Sequence, residues 1–353
     1  MASAKVRAQR ALAAVPFLFI AAWCLHNMDI NKLVAMQQPF VESGVIEWEN
    51  GKKRVLILDH FHNIDILDQL WRGTTATFSP STFGYDRIAW WQMFSFLVDL
   101  GPVYAVWILE SCRARNAYTP AFFPTIFSLA GQLLGLGAVA PIFYFLCFVF
   151  GPTASELARS PVKDRAIHAE DIGLLFPIVL LLHTAEVFAM FLAPEPSTRH
   201  FWTWAWQLTP LWIGMAHYLV SAIMKALLPK PVILNLPKYP FFLLLGFISA
   251  GVWLYVLAFS PYSLRTIFIP APEAQSEFIA HVRKALQTDH LASFGSSFLW
   301  LLYSFFDLSS TRPLGNEWLY TIAMLPVVGA IAGPGAAFAF GWYLRHRSLL
   351  AVT

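Results

Sequence analysis

Long apolar stretches separated by short polar breaks run from one end of the chain to the other. A helix needs roughly 20 predominantly apolar residues to cross a bilayer core, and eight stretches approach that length. The first follows the basic start Lys5-Val6-Arg7-Ala8-Gln9-Arg10 and ends near His26. It is expected to be a retained span, because no small-x-small cleavage site follows it. The others run at about 88–112, 122–150, 172–193, 201–227, 241–259, 291–308 and 318–344. Residues 27–87 are mixed and polar, which predicts a long extramembrane loop between spans 1 and 2, with a short amphipathic helix near Leu67–Trp71. The expected fold class is all-α: a polytopic transmembrane helix bundle of about eight spans, forming a single membrane domain over residues 1–353.

Composition agrees with this pattern. The chain is 57% hydrophobic and 13% charged, where soluble domains carry about a quarter charged residues. The deficit is spread along the whole chain, which excludes a single anchor on a soluble domain. The net charge of +3 is a small difference between 24 basic and 21 acidic residues, and no basic run points to nucleic acid. Cys24, Cys112 and Cys147 sit in or beside apolar segments and read as small buried hydrophobes, not as a disulfide framework or a zinc cluster. The positive-inside rule puts both termini in the cytoplasm, against the opposing Lys163, Arg165, Lys230 and Lys238. An internal membrane such as the endoplasmic reticulum is the expected location. Gly131 and Gly135, and Gly329 and Gly333, are spaced for close helix packing. Gly333-Pro334-Gly335-Ala336 interrupts the last span, and Pro102, Pro141, Pro177 and Pro210 are expected to kink others.

Ionisable groups inside spans are costly and are functional candidates by default. Asp99 and Glu110 are eleven residues apart, about three helical turns, so both project from one face of the second span. Glu110 could instead form a helix-end ion pair with Arg113. His183 and Glu186 share a face of the fourth span. Asp289 and His290 open the seventh, where Asp289 could act as an N-cap, and Asp307 closes it. Gln132 and Gln207 lie mid-span and could join helices or orient a ligand. Tyr144, Trp300 and Tyr303 lie deep enough to line a cavity, whereas Phe201-Trp202-Thr203-Trp204-Ala205-Trp206 resembles an interfacial aromatic belt. Asp59-His60-Phe61-His62-Asn63-Ile64-Asp65 contains metal-ligand residue types, but its spacing fits a solvated loop better than a metal motif. The chain has no P-loop, no Rossmann glycine motif, no Asp-Asp-x-x-Asp stretch, no Asp-x-Asp-Asp acid motif and no visible internal repeat.

Several phrases resemble a family of fungal integral-membrane proteins. They are Leu67-Asp68-Gln69-Leu70, Leu109-Glu110-Ser111-Cys112-Arg113-Ala114-Arg115-Asn116, Gln132-Leu133-Leu134-Gly135-Leu136-Gly137, Pro141-Ile142-Phe143-Tyr144, Trp206-Gln207-Leu208-Thr209-Pro210-Leu211-Trp212, Gln287-Thr288-Asp289 and Gly333-Pro334-Gly335-Ala336. Some members of that family are membrane-bound terpene cyclases of meroterpenoid pathways, including those of ascochlorin, ascofuranone and macrophorin. The resemblance directs interest to Asp68, Glu110, Gln132, Gln207 and Asp289. The chain departs from the family's pattern in the fourth span, where His183-Thr184, Glu186 and Val187 replace an expected Gly-Tyr and a later Pro.

What the resemblance implies is proton-initiated cyclisation of the prenyl chain of a prenylated aromatic or polyketide substrate, starting at an epoxide or alkene. Such chemistry needs a carboxylic acid kept neutral by a low-dielectric site. It also needs aromatic faces for a travelling cation and a pocket that excludes water. No diphosphate leaves, so no metal or cofactor is expected. The carboxyl candidates are Glu110, Asp289, Asp99 and Glu186, with Glu110 and Asp289 expected near one membrane side as acid and base. Asp68, Gln132, Tyr144, His183, Gln207, Trp300 and Tyr303 are candidates for binding substrate. The alternatives are a transporter that uses the same carboxylates for proton coupling, or a non-catalytic scaffold. A cyclase should have an apolar, aromatic-ringed pocket open to lipid, and a transporter a polar path to both sides.

Overall fold

A computed structural model describes residues 3–167, 169–227, 239–310 and 317–351. Lys230 and Lys238, which bear on orientation, lie outside the described residues. Among the described residues the fold is all-α apart from one small hairpin. Among the described residues, four helices are long and apolar enough to cross a membrane: Arg87–Ser111, Gly173–Leu192, Thr209–Leu227 and Phe278–Ser309. The bent pair Ala4–Ala13 and Val15–Ser43 makes a fifth if it is one span. Shorter apolar helices, Pro124–Leu134, Leu136–Phe150, Leu243–Phe259 and Trp318–Ala332, occupy the remaining expected stretches. Large apolar side chains such as Phe19, Leu181, Tyr218, Phe247 and Phe259 face outward, which suits a surface solvated by lipid.

In chain order the N-terminal helices are α1 (Ala4–Ala13), α2 (Val15–Met28) and α3 (Ile30–Ser43). The hairpin β1 (Val45–Trp48) and β2 (Lys53–Leu56) follows, paired antiparallel with Ile46 opposite Val55. Then come α4 (Asp65–Thr82) and α5 (Arg87–Ser111). The segment expected as a loop between spans 1 and 2 is therefore largely ordered. Ile46, Val55, Ile57 and Trp71 pack with Trp204 in a core of their own. The expected helix at Leu67–Trp71 falls inside α4. Trp204 and Trp206 are buried against these elements and do not form an interfacial belt. Alternation of apolar residues in Val45–Trp48 buries Ile46 while Glu47 points out, a strand period that a search for spans passes over.

The expected third, fifth and last spans are each broken. The third is α6 (Pro124–Leu134) and α7 (Leu136–Phe150), interrupted by Gly135 at φ +83°. The short helices α8 (Ala154–Arg159) and α9 (Val162–Arg165) lead to α10 (Ala169–Val179). That helix continues through a π-helical turn, Leu180–Thr184, into α11 (Ala185–Leu192). The fifth stretch is α12 (Pro196–Trp206) and α13 (Thr209–Leu227), followed by α14 (Tyr239–Phe259) and the short α15 (Leu264–Phe268). The seventh, α16, is much longer than its apolar stretch and spans Phe278–Ser309. The last consists of α17 (Glu317–Ala332) and α18 (Pro334–Ala351), separated by Gly333 at φ +86°.

A break inside an apolar bundle exposes backbone N–H groups that lipid cannot satisfy. Intramembrane acids meet two of these ends. Asp289 of α16 accepts a hydrogen bond from the Gly137 N–H in the first turn of α7. Asp99 of α5 packs against Gly335 in the first turn of α18, where an added Cβ would lie 2.7 Å from Oδ1. Glycine is needed at both positions because the capping helix comes so close. A Cβ on Gly137 would lie 2.5 Å from the Asp289 carbonyl oxygen and 2.8 Å from Ala292 Cβ. Gly137→Ala should therefore lower stability by about 1–3 kcal/mol through overpacking. Gly295, where an added Cβ would meet nothing within 4 Å, is the control. Melting in detergent should show a drop for Gly137→Ala and little change for Gly295→Ala; equal melting would remove this account of the break.

Candidate functional site

The register of the central helices decides which acids meet. Gln92 Nε2 donates to the Leu286 carbonyl, Phe96 stacks on His290 at 4.6 Å, and Phe96 also meets Phe294. Residue numbers rise together across these contacts, so α5 and α16 run parallel. Glu110 shares a cavity wall with Trp300 and Ser304, well beyond Asp289. The eleven residues from Asp289 to Trp300 correspond to roughly 16 Å along the axis. Glu110 and Asp289 are thus not at one level, contrary to the expectation. The cause is the true start of α16 at Phe278, which places Asp289 three turns inside the helix instead of at its beginning.

Glu110 and Asp99 do project from one face of α5, as their spacing predicts, and both meet α18. Glu110 Oε1 accepts from Arg113 Nη2 at 2.9 Å, Arg345 Nη1 at 2.9 Å and Trp342 Nε1 at 2.8 Å. Asn116 Nδ2 adds a contact to Oε2 at 3.2 Å. The helix-end pair with Arg113 forms, and Arg113 is itself only 1% exposed. A carboxylate gripped by two guanidinium groups is an ion-paired structural centre, which is a poor arrangement for a proton donor. Its cavity, about 60 Å³, also has Tyr144 and Trp300 on its wall, so three of the expected residues do converge. Tyr144 stacks on Trp300 at 5.3 Å and accepts from Trp107 Nε1 at 2.9 Å. Tyr303 turns away, donating to the Ala13 carbonyl at 2.6 Å.

A second group forms around Tyr104, which sequence reasoning missed because a lone tyrosine carries no motif. Gln132 Nε2 donates to its hydroxyl at 3.5 Å, and His183 meets its ring edge-on at 5.2 Å. His183 has both nitrogens engaged: Nδ1 accepts from Trp206 Nε1 at 3.1 Å, and Nε2 faces the Leu97 carbonyl at 2.7 Å. Accepting at Nδ1 assigns the ring proton to Nε2. Glu186 accepts from the Thr209 hydroxyl at the start of α13. His183 and Glu186 thus brace the junction of α12 and α13 and are not paired with each other. Gln207 donates to the Thr203 carbonyl at 3.2 Å, leaving its buried Oε1 without a hydrogen bond.

Asp68 sits apart, in the first turn of α4, and accepts from the backbone N–H of Phe61 at 3.2 Å and of His62 at 2.9 Å. Burial pushes its carboxyl up, but the His62 and Phe61 N–H groups outweigh burial and hold it below the ordinary carboxylate range. Asp68 therefore ties the Asp59–Asp65 turn to α4. Elsewhere Cys112, Asp171 and His217 bring ligand-type atoms within 4.8 Å of one another, a grouping the sequence did not suggest. Asp171 already accepts from Ser221 at 2.8 Å and faces Lys225 at 3.4 Å, so this cluster has a cation of its own.

That cluster lies on the wall of a polar pocket of about 650 Å³, and an apolar space of similar size lies elsewhere. A groove of about 750 Å³ lies between α14, α15, α16 and α17. Trp253, Phe268, Phe294 and Phe298 supply aromatic walls, and Leu291, Leu325 and Pro326 the aliphatic ones. His290 adds a polar side chain to that wall; its Nδ1 lies 3.3 Å from Gln92 Nε2. The Gln92 amide donates there, which assigns the ring proton to Nε2. Pro334, at the break in the last span, closes one side of the groove. Asp99 does not itself line the groove: it packs against Gly335, the residue after Pro334, and its Oδ1 accepts from Ser249 Oγ at 2.5 Å. Ser95 approaches the same carboxyl, and Oδ2 is buried without a hydrogen bond. Sequence reasoning chose Asp99 as an ionisable group inside a span, but it could not show that the break next to it borders a groove.

The sequence model of the CtvD domain matches residues 11–239. The chain belongs to the CtvD domain family. Among its relatives, the FAD-dependent monooxygenase verC1 of Penicillium polonicum is 30% identical over 97% of this chain and 43% of its own. The terpene cyclase ascI of Acremonium egyptiacum is 26% identical over 62% of this chain and 56% of its own. The terpene cyclase ctvD of Aspergillus terreus is 22% identical over 73% of this chain and 76% of its own. The chain spans about two fifths of the length of the monooxygenases it matches. No solved structure matches it.

Proposed function

We propose that the protein is a membrane-bound terpene cyclase that closes the prenyl chain of a meroterpenoid precursor, with the groove beside Asp99 as its active site. The groove carries this reading. Its size lies in the range of small-molecule sites, about 300–1,000 Å³, and its aromatic faces can stabilise a cation by up to about 2 kcal/mol each when dry. Such a surface suits a hydrocarbon chain and lacks the polar lining a transport path needs. Relatives named as terpene cyclases support the same class of chemistry. The flavin chemistry of the longer relatives is not carried over, since this chain matches less than half of them.

In the proposed mechanism the prenyl tail enters from lipid and folds against Trp253, Phe294 and Phe298. Asp99 does not line the groove, so the mechanism requires the break at Gly333-Pro334 to shift and let the Oδ2 proton of the neutral acid reach the terminal epoxide oxygen or alkene. The His290 Nε2–H holds an epoxide oxygen in place. The resulting carbocation is attacked by the next double bond, forming a carbon–carbon bond and moving the charge along the chain. Loss of a proton from the carbon beside the final cation, returned to the Asp99 carboxylate, leaves a product isomeric with the substrate. Asp289 and Glu186 serve helix breaks in this account, and Glu110 serves the arginine cluster. The substrate would be a prenylated aromatic or polyketide held in an internal membrane. Membranes containing the protein, given farnesylated phenols and their epoxides, should yield products of unchanged mass and new retention time. Consumption with a change of mass, or transport without conversion, would count against the cyclase.

A further inference from the structure

The Glu110 cavity is not used by the proposed cyclisation, and the charges of its described lining residues do not balance. Among the described residues that line it are three guanidinium groups, Arg10, Arg113 and Arg345, and two carboxylates, Glu110 and Asp307. Glu110 accepts from both Arg113 and Arg345. Asp307 accepts from Arg10 at 3.0 Å and from the Ala154 N–H at 2.9 Å. One positive charge is therefore in excess in a site whose arginines are at most about an eighth exposed. Leaving a charge uncompensated at such depth is costly.

We propose that this cavity binds the carboxylate of a small acid. Arg345 is the group placed to receive it. It gives only Nη1 to Glu110, and its guanidinium lies 5.0 Å from the centre of the Trp300 ring. A guanidinium fixed in this way presents a fork that matches two coplanar oxygens. The room, about 60 Å³, exceeds that needed by one water and suits a carboxylate-sized group. The stacked Tyr144 and Trp300 rings stand beside it and hold Arg345 in place. The site is separate from the groove, because Gly341 of α18 packs against Leu301 and Leu325 between them. It stands or falls independently of the cyclase reading, since binding is measured without turnover.

The test is equilibrium dialysis of radiolabelled acetate against the purified protein in phosphatidylcholine nanodiscs. Saturable binding at one acetate per chain is expected, with acetamide at least tenfold weaker. Arg345→Met, which keeps a flexible stem over Trp300 but no charge, should lose at least tenfold in acetate affinity. Acetate and acetamide binding equally, or no saturable acetate binding, would overturn the proposal from the wild-type protein alone, whatever the variant's folding. Unchanged affinity in a folded Arg345→Met protein would overturn it too. Displacement of acetate by inorganic phosphate at equal concentration, or by nanodiscs containing phosphatidic acid, would assign the site to phosphate groups and contradict the carboxylate.

Discussion

Asp99→Asn is expected to abolish cyclisation while leaving the protein folded in membranes. The asparagine side-chain oxygen can still accept from Ser249 Oγ, so the polar contact beside the broken last span persists. What it loses is an acid proton at Oδ2. Positioned acid–base catalysis contributes about 10²- to 10⁴-fold, and protonation of the substrate starts the whole sequence, so product yield at matched protein level should fall by at least the lower figure. Melting in detergent should change much less. A folded Asp99→Asn protein with near-normal turnover would move the proton source to another acid, with Asp289, three turns into α16, the next candidate.

Glu110→Gln should have the opposite profile: a loss of folded protein, with any surviving fraction retaining turnover. The glutamate accepts from two guanidinium groups, Trp342 and Asn116. Removing its charge leaves Arg113 and Arg345 buried without their shared anion. Breaking a buried pair from one side costs about 3–5 kcal/mol, a large share of the stability of a typical domain. The expected readouts are poor recovery from membranes and a markedly lower melting temperature. Adding Arg345→Met to Glu110→Gln should restore part of the loss, because the second change removes a cation that the first left unmatched. A well-folded, stable Glu110→Gln protein that has lost turnover would instead make Glu110 catalytic.

The helical class was legible because apolar length is a strong signal, and Arg87–Ser111 matches its expected stretch to within a residue or two. The break at Gly333-Pro334 was legible for the same kind of reason, a local one. Gly135 was not: four residues after Gly131, it resembles a helix-packing pair, yet its positive φ ends α6. The start of α16 was hidden because Phe278–His290 contains His281, Arg283, Lys284 and Gln287. These polar residues are accommodated by partners outside the helix. Arg283 pairs with Asp86 at 2.7 Å, and Lys284 donates to the Pro272 and Glu273 carbonyls. Missing that start shifted Asp289 to the wrong depth and produced the expectation of an acid–base pair with Glu110. Arg345 and Trp342 could not be tied to Glu110 from sequence, because more than 230 positions separate them. The groove was equally invisible, as it arises where α14, α15, α16 and α17 fail to fill space, and no single segment records that.

The central claim is that the prenyl chain lies in the groove beside Asp99, and photolabelling tests it most directly. A farnesylated phenol with a diazirine near the end of its tail would be irradiated with the protein in nanodiscs, and the modified peptides mapped by mass spectrometry. Labelling of the segments that hold Phe294, Phe298, Ile322 and Leu325, suppressed by excess unlabelled farnesylated phenol, is the predicted result. Competable labelling confined to Trp107, Phe143 or other walls of the Glu110 cavity would contradict it and place the chemistry in the arginine cluster instead.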